Sequence, residues 1–287
     1  MNPMSKGFYV LMALSMAILV SACASQQIRT RSSVVEYLYP KDVEKVVQPA
    51  TPVLHIPIKV GIAFVPEQGM QAHGASLWAG VVRPGMMSEA YKMQLLEKIA
   101  AHFRKLDYVA DIEVIPSPYL TPGGSFANLD QIRTMYGVDV MALVSYDQVQ
   151  FTDEGMLSLS YWTLVGAYVI SGEKNDTSTM LDTAVYDIPS RKMLFRAPGV
   201  SSIKGTATPV NLSEQLRLDS TRGFEDAAAQ MISNLDLQLE GFREKIKQQP
   251  ERVKIVPRAG TSGGVWGSGI IGLLVLLISR RGLTVRG

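Results

Sequence analysis

Cysteine is almost absent: Cys23 is the single one in 287 residues, which excludes an intrachain disulfide and a thiolate metal cluster. The folded body must therefore hold itself by packing. Histidine is nearly as scarce. His55, His73 and His102 stand far apart in the chain, and none neighbours another ligand at a metal-motif spacing, so no metal site is expected. Charge of one sign is lacking too: 28 Lys and Arg against 26 Asp and Glu leave a net charge of +2, which argues against nucleic acid or another polyanion as partner. Residues 51–247 hold no Gly-x-Ser-x-Gly elbow and no Gly-x4-Gly-Lys-Ser phosphate loop. No cofactor is expected.

What the sequence does have is concentrated at its ends. Residues 1–22 form a secretory signal: Lys6 supplies a lone positive charge, residues 8–20 are apolar, and small residues follow. The apolar stretch is too short to span a bilayer comfortably. It ends in Val20-Ser21-Ala22-Cys23. These four residues resemble the lipobox of bacterial lipoproteins. Small side chains at Ser21 and Ala22 let the Cys23 thiol take a diacylglyceryl group at the membrane face before a peptidase cuts between Ala22 and Cys23. The acyl chains on Cys23 would then hold the protein to a membrane, and the lipoprotein maturation enzymes would be its first partners. Ala24 is not the aspartate that resembles an inner-membrane retention signal, which points to the outer membrane. Residues 25–33 are polar and lack a period, so 23–50 reads as a lipidated tether.

Residues 261–287 are unlike anything upstream. Thr261-Ser262-Gly263-Gly264 precedes an apolar stretch over 265–279, with Trp266 at one margin and Arg280-Arg281 at the other. Fifteen helical residues reach roughly 22 Å, short of a hydrocarbon core of about 30 Å, so this transmembrane helix fits with flanking help. The basic pair places its end on the cytoplasmic side. Gly263, Gly264, Gly267, Gly269 and Gly272 each weaken a helix by up to about 1 kcal/mol relative to alanine. An intramembrane protease needs such a loosened helix, because a peptide bond must unwind to reach its active site.

The Gly-Gly pair, glycine-interrupted helix and basic cluster resemble the GlyGly carboxyl-terminal sorting domain, the signal read by rhombosortase, a rhomboid-family intramembrane serine protease. Together with the lipobox, they make the chain look like the rhombotarget lipoprotein family. That resemblance rests on the two ends, and implies cleavage close to Ser262-Gly263-Gly264 after transient anchoring in the inner membrane. One departure stands out: residues 282–287 follow Arg281, where the family pattern ends near its basic cluster. The alternative is a permanent anchor or a glycine-rich helix that pairs with another helix.

Residues 51–247 form the body. Residues 56–66 read as a buried strand closed by a proline, and 68–85 as a glycine-bearing loop. Tyr91, Leu95, Leu96, Ile99 and Phe103 share a helical face over 88–106, with Ser88 as cap. A strand at 111–115, a helix at 128–136 ended by Gly137 and a strand at 138–146 follow. Residues 135–144 resemble the helix-to-strand turn of small periplasmic α/β domains, among them the amino-terminal domain of the Tol-system propeller protein. Strands are expected at 157–170, 180–187 and 192–198, the last two joined as a hairpin through residues 188–191. A long helix over 212–247, capped by Asn211 or Ser213, places Leu216, Phe224, Ala227, Met231, Leu235 and Leu239 on one face. The order points to a single α/β sandwich with a mixed sheet, joined by a linker at 248–260 to the tail.

Candidate chemistry within the body is thin. His102 borders a helix face, and His73 reads as a solvated loop residue. Asp153 and Glu154 read as acids at a hairpin tip, and Tyr161 and Trp162 as core residues. The expectation is a non-enzymatic envelope lipoprotein whose body binds or assembles with another component, at the outer membrane or cell surface. The alternatives are a hydrolase with its site in the 68–85 loop around His73, and an inner-membrane protein held at both ends.

Overall fold

A computed structural model describes residues 25–40, 50–74, 87–154, 173–207 and 211–258. In chain order these hold β1 (Ser25–Ser32), α1 (Val34–Leu38), β2 (Val53–Ile56), β3 (Ile58–Phe64), β4 (Glu67–Gly74) and α2 (Glu89–Phe103). They continue through β5 (Val109–Val114), α3 (Ser125–Tyr136), β6 (Val140–Glu154), β7 (Glu173–Asp187), β8 (Lys192–Ala207), α4 (Leu212–Gln248) and β9 (Lys254–Pro257). The protein is α/β with a mixed sheet and, among the described residues, four α-helices.

One strand organises the seven-stranded sheet. β6 pairs along its whole length with β7, which pairs in turn with β8. On its other edge its first residues, from Val140 to Val144, run parallel to β3, and Asp147 to Asp153 run antiparallel to β1. β3 carries β5 beyond it, and β1 carries β4. The two halves of β6 differ in pattern because their surroundings differ. Val140-Met141-Ala142-Leu143-Val144 is continuously apolar and buried on both faces, as a strand between two helix layers requires. From Tyr146 onward buried and part-exposed residues alternate.

The helices take opposite faces for a topological reason. From β3 the chain first visits β4 at the far edge and then reaches β5 through α2, after which it reverses across β3 to β6 through α3. A constant right-handed crossover places helices of opposite steps on opposite faces. α2 and α4 bury Leu95, Leu96, Ile99, Phe224, Ala227 and Met231 against one face. α1 and α3 bury Tyr37, Leu38, Phe126, Leu129 and Ile132 against the other. The Ser88 hydroxyl caps α2 by accepting from the Tyr91 amide at 3.3 Å, as the sequence suggests. Gly137 ends α3 in the left-handed region at φ 67°, donating to the Arg133 carbonyl at 2.9 Å.

Three expectations are corrected. Residues 25–32 form β1 within the sheet, not part of a tether; among its described side chains Ile28 and Ser32 are buried, and backbone pairing with β4 and β6 holds it without an apolar stripe. Residues 67–74 form edge strand β4, where a loop is expected. The strand expected at 56–66 is present as β3, which begins just after Pro57; ahead of it β2 stands outside the main sheet and pairs with β9. β9 itself lies where a linker is expected. The hairpin of β7 and β8 is present and longer than the apolar pattern indicates, because its outer half buries polar residues. The expected strand at 157–170, with Tyr161 and Trp162, falls outside the described residues.

Edge strand β8 is covered by α4. The Asn234 side-chain amide donates to the Pro198 carbonyl at 2.6 Å, and the Gln230 side-chain oxygen Oε1 accepts from the Val200 backbone amide. Between them the strand backbone meets the helix at Gly199, where an added Cβ would stand 2.1 Å from the Ala227 carbonyl oxygen. Gly199→Ala should therefore lower stability by about 1–3 kcal/mol. Gly241→Ala, in the same helix with open space around it, should raise it by up to about 1 kcal/mol. Chemical denaturation of the two variants checks the pair; equal effects would remove the close approach as a constraint.

Burial also sets the alkaline limit. It pushes the phenols of Tyr91 and Tyr186 up to about 12, and those of Tyr37 and Tyr146 higher. For an acid raised in the fold, stability is complete below the unfolded value near 10 and is lost as pH rises toward the folded value. Phenolate absorbance should show these four tyrosines ionising with unfolding rather than in the ordinary tyrosine range.

Candidate functional site

The apolar layer is not filled evenly. Between α2, the carboxyl-terminal half of α4 and the sheet lies a half-open cleft with a cavity volume of about 110 Å³. Its floor is the start of the sheet, with Ile62, Val140, Ala142 and Val185. Its walls are Ile99, Ala100 and Phe103 from α2, and Leu235, Leu239 and Phe242 from α4. Leu54 of β2 closes one side. Two alanines explain the space: Ala100 on the helix and Ala142 on the strand are both buried, and larger residues there would fill it. A fully enclosed void of that volume costs roughly 2–3 kcal/mol.

The lining surface is wholly apolar. Thr183, the one hydroxyl-bearing aliphatic side chain in it, turns its Oγ1 to Met231 Sδ at 2.9 Å. At the margin, Tyr108 carries the Arg243 guanidinium 5.6 Å above its ring, and Phe195 leans on Phe242 at 5.5 Å. Burial pushes the Tyr108 phenol up; Arg243 pulls it down, and Glu240 and Asp236 push it up, so charges of both signs stand around it. Such a surface can exclude water and take hydrocarbon. Among the described residues its only lining hydroxyls are those of Thr183, turned to Met231, and Tyr108, at the margin.

The histidines do not form a site. His102 Nε2 meets Asp236 Oδ2 at 3.0 Å on the surface, linking α2 to α4, and its ring stands edge-on to Phe103. His55 is exposed on β2. His73 lies in β4, opposite Gln27 of β1, so the loop site expected around it is instead partly sheet edge. Asp153 and Glu154 end β6 in register with Lys174 and Glu173, rather than capping a hairpin tip. Among the described residues no group of three or more His, Cys, Asp or Glu is placed to hold a metal ion.

Two buried polar arrangements went unforeseen. Lys92 of α2 is buried, and its Nζ meets Glu67 Oε1 of β4 at 2.7 Å. Helical spacing could have found it, because Lys92 stands three, four and seven residues before Leu95, Leu96 and Ile99 on the apolar stripe. The second lies under the first half of α4. Gln148 and Gln150 of β6 face Thr179 and Thr177 of β7, with amide-to-hydroxyl distances of 2.7 and 3.2 Å. α4 completes this seam: the Ser220 hydroxyl donates to Gln148 at 2.6 Å, the Leu216 carbonyl accepts from Gln150 at 2.8 Å, and Asp219 accepts from Asn175 at 2.8 Å.

The terminal residues Ala22, Cys23, Ser262, Gly263, Gly264, Arg280 and Arg281 lie outside the described residues. Their points of attachment do not. Ser25, two residues after Cys23, pairs with Asp153 at one end of β6. Arg258 donates from Nε to the Pro57 carbonyl at 3.0 Å and pairs with Asp139 at the other end. The two exits are separated by nearly the length of β6, roughly 45 Å at about 3.3 Å per residue. Among the described residues no helix is long and apolar enough to cross a membrane.

No family model and no curated protein matches the chain. Among solved structures, a neuraminyllactose-binding hemagglutinin homolog from Helicobacter pylori aligns with TM-score 0.36 at 10% identity, covering 74% of this chain and 98% of that one. Protein XCC0632 from Xanthomonas campestris, of the DUF330 family, aligns with TM-score 0.25 at 9% identity, covering 66% and 97%. The hypothetical protein CT253 from Chlamydia trachomatis aligns with TM-score 0.24 at 12% identity, covering 68% and 96%. Likenesses at these scores carry no argument about ligand or activity.

The Lys92–Glu67 pair yields a direct stability test. Lys92→Met leaves a carboxylate facing apolar surface and should cost roughly 3 kcal/mol. Adding Glu67→Leu should recover most of that loss. Urea unfolding of the single and double variants measures both steps, and a neutral single variant would show that the pair is solvated rather than buried.

Proposed function

We propose that the protein is an exported bacterial envelope lipoprotein whose α/β body is a non-enzymatic binding module. In this reading the signal peptide 1–22 is removed between Ala22 and Cys23, and Cys23 is lipidated. The tail is cut by a rhombosortase near Ser262-Gly263-Gly264, with Arg280 and Arg281 holding its cytoplasmic end. The body is one sandwich standing between a lipid anchor and a short transmembrane helix, and the mature protein resides at the outer membrane or cell surface. The observation that carries the binding role is the cleft: a concave, wholly apolar surface without a titratable cluster, suited to retaining a molecule and unsuited to transforming one. The addresses rest on Val20-Ser21-Ala22-Cys23 at one end and on the Gly-Gly pair, glycine-interrupted helix and basic pair at the other.

Intact-mass measurement of the mature protein from its own cells tests this directly. The expected polypeptide begins at Cys23 with acyl chains attached and ends near Gly263-Gly264. Cys23→Ser should abolish acylation and leave the signal peptide in place, and deletion of the rhombosortase should leave the tail attached. A full-length chain with a free Cys23 thiol and Arg281 still present would refute the reading.

A further inference from the structure

The cleft lies where the second exit is. Leu54, in its wall, belongs to β2, whose partner β9 leads directly into Arg258 and the tail. Val140, in its floor, is the residue after Asp139, to which Arg258 is paired. The end of the sheet that holds the cleft is thus the part of the body nearest the start of the tail.

The lining restricts what can enter. A ligand group that needs a hydrogen bond finds no polar surface, so a sugar, a peptide backbone or a headgroup is excluded from the interior. A volume of about 110 Å³ is smaller than the engineered apolar cavity of about 150 Å³ that takes a benzene ring, so a fused polycyclic body does not fit. The end of an unbranched hydrocarbon chain satisfies both limits. The remainder of such a molecule would leave past Tyr108 and Arg243, where charged groups and water receive its polar part.

We propose that the cleft takes the terminal segment of a single acyl chain from the adjacent bilayer, its polar head remaining outside beside Tyr108 and Arg243. This deepens the binding role argued above and rests on it. The free fatty acid and the membrane phospholipid share this chemistry, and the experiment separates them.

The test uses the full-length protein, its tail still attached, in isolated envelope membranes, and two photoactivatable probes with the same chain. One is a fatty acid with a diazirine near its methyl end; the other is that chain esterified in phosphatidylethanolamine. After irradiation, cross-links mapped by peptide mass spectrometry should fall on the segments around Ala100 and Leu239. Labelling by the phospholipid alone would assign the source to the bilayer, by the fatty acid alone to free acid, and either supports the proposal. Ala100→Leu fills the cleft and should reduce labelling about tenfold or more. Ala142→Val is the smaller filling change should Ala100→Leu fail to fold, and melting curves of both confirm the fold. Labels confined to other surfaces, unchanged labelling in folded filled variants, or no label at all would overturn the proposal. The mass of the same preparation reports Cys23 acylation independently, so a failed cleft and a failed lipoprotein assignment are distinguishable.

Discussion

Backbone pairing along β6 is the constraint to which the other elements answer. A strand of this length has more edge than any one short neighbour can cover, and on one side two pairs of strands divide it between them. Where parallel β3 and β5 pair, helices must lie on both faces, because each parallel crossover brings a helix back over the sheet. The first half of β6 is consequently apolar on both sides. Where β1 and β4 pair, the ladders are antiparallel and no parallel crossover lays a helix over them. One face there is covered only because α4 is long enough to continue past the apolar core, and the covered face is a seam of glutamine, threonine and asparagine. A polar seam beneath a helix stabilises only as far as its groups find partners: the amide nitrogens of Gln148 and Gln150 reach β7 and α4 and that of Asn175 reaches Asp219, while Gln150 Oε1 and Asn175 Oδ1 stay buried without one.

That division explains which parts of the fold were legible in the sequence. α2, α3 and the hairpin turn between β7 and β8 follow from local rules: apolar spacing at Leu95, Leu96 and Ile99, a left-handed glycine at 137, turn residues at 188–191. β1 and β4 obey none of these. Ser25-Gln26-Gln27-Ile28 carries no stripe because its stability comes from backbone bonds to partners far away in sequence, information that a window of neighbouring residues does not contain. The outer half of the hairpin was missed for a related reason. Burial of polar side chains inverts the usual sign of the alternation, so Gln148, Gln150 and Thr152 look solvent-facing until α4 is placed over them. Lys92 was hidden similarly, a charge on an apolar stripe whose partner begins a strand taken for a loop. The cleft itself was not legible, since two facing alanines create it only after helix and strand are brought together.

The separation of the two exits bears on how the proposed anchors act. With the acylated end leaving beside Asp153 and the tail beside Asp139, both can reach one bilayer only if the long axis of the sheet lies along its plane. Standing the sheet upright carries one exit roughly 45 Å away, about the thickness of a bilayer with its headgroups. Removal of the tail in the proposed processing step therefore does more than delete an anchor. It relieves an orientation, leaving a body hinged at one end and free to present its other end, with the cleft, to a different surface.

The position of the cleft also fits the energetic division within the sheet. The sheet is most heavily supported where β3, β5, β6, β7 and both helix layers converge, and the cleft lies on one face of that region. Ala142 sits in that region, paired across to Val185 and Ile62, so its small side chain leaves backbone hydrogen bonding intact while withholding volume. Ala100 does the same from a helix in which alanine carries no conformational penalty. Both positions favour the secondary structure around them or leave it undisturbed, and together they keep the layer open. The missing volume thus comes from side chains alone, which is how a fold can retain a cavity without loosening the backbone that surrounds it.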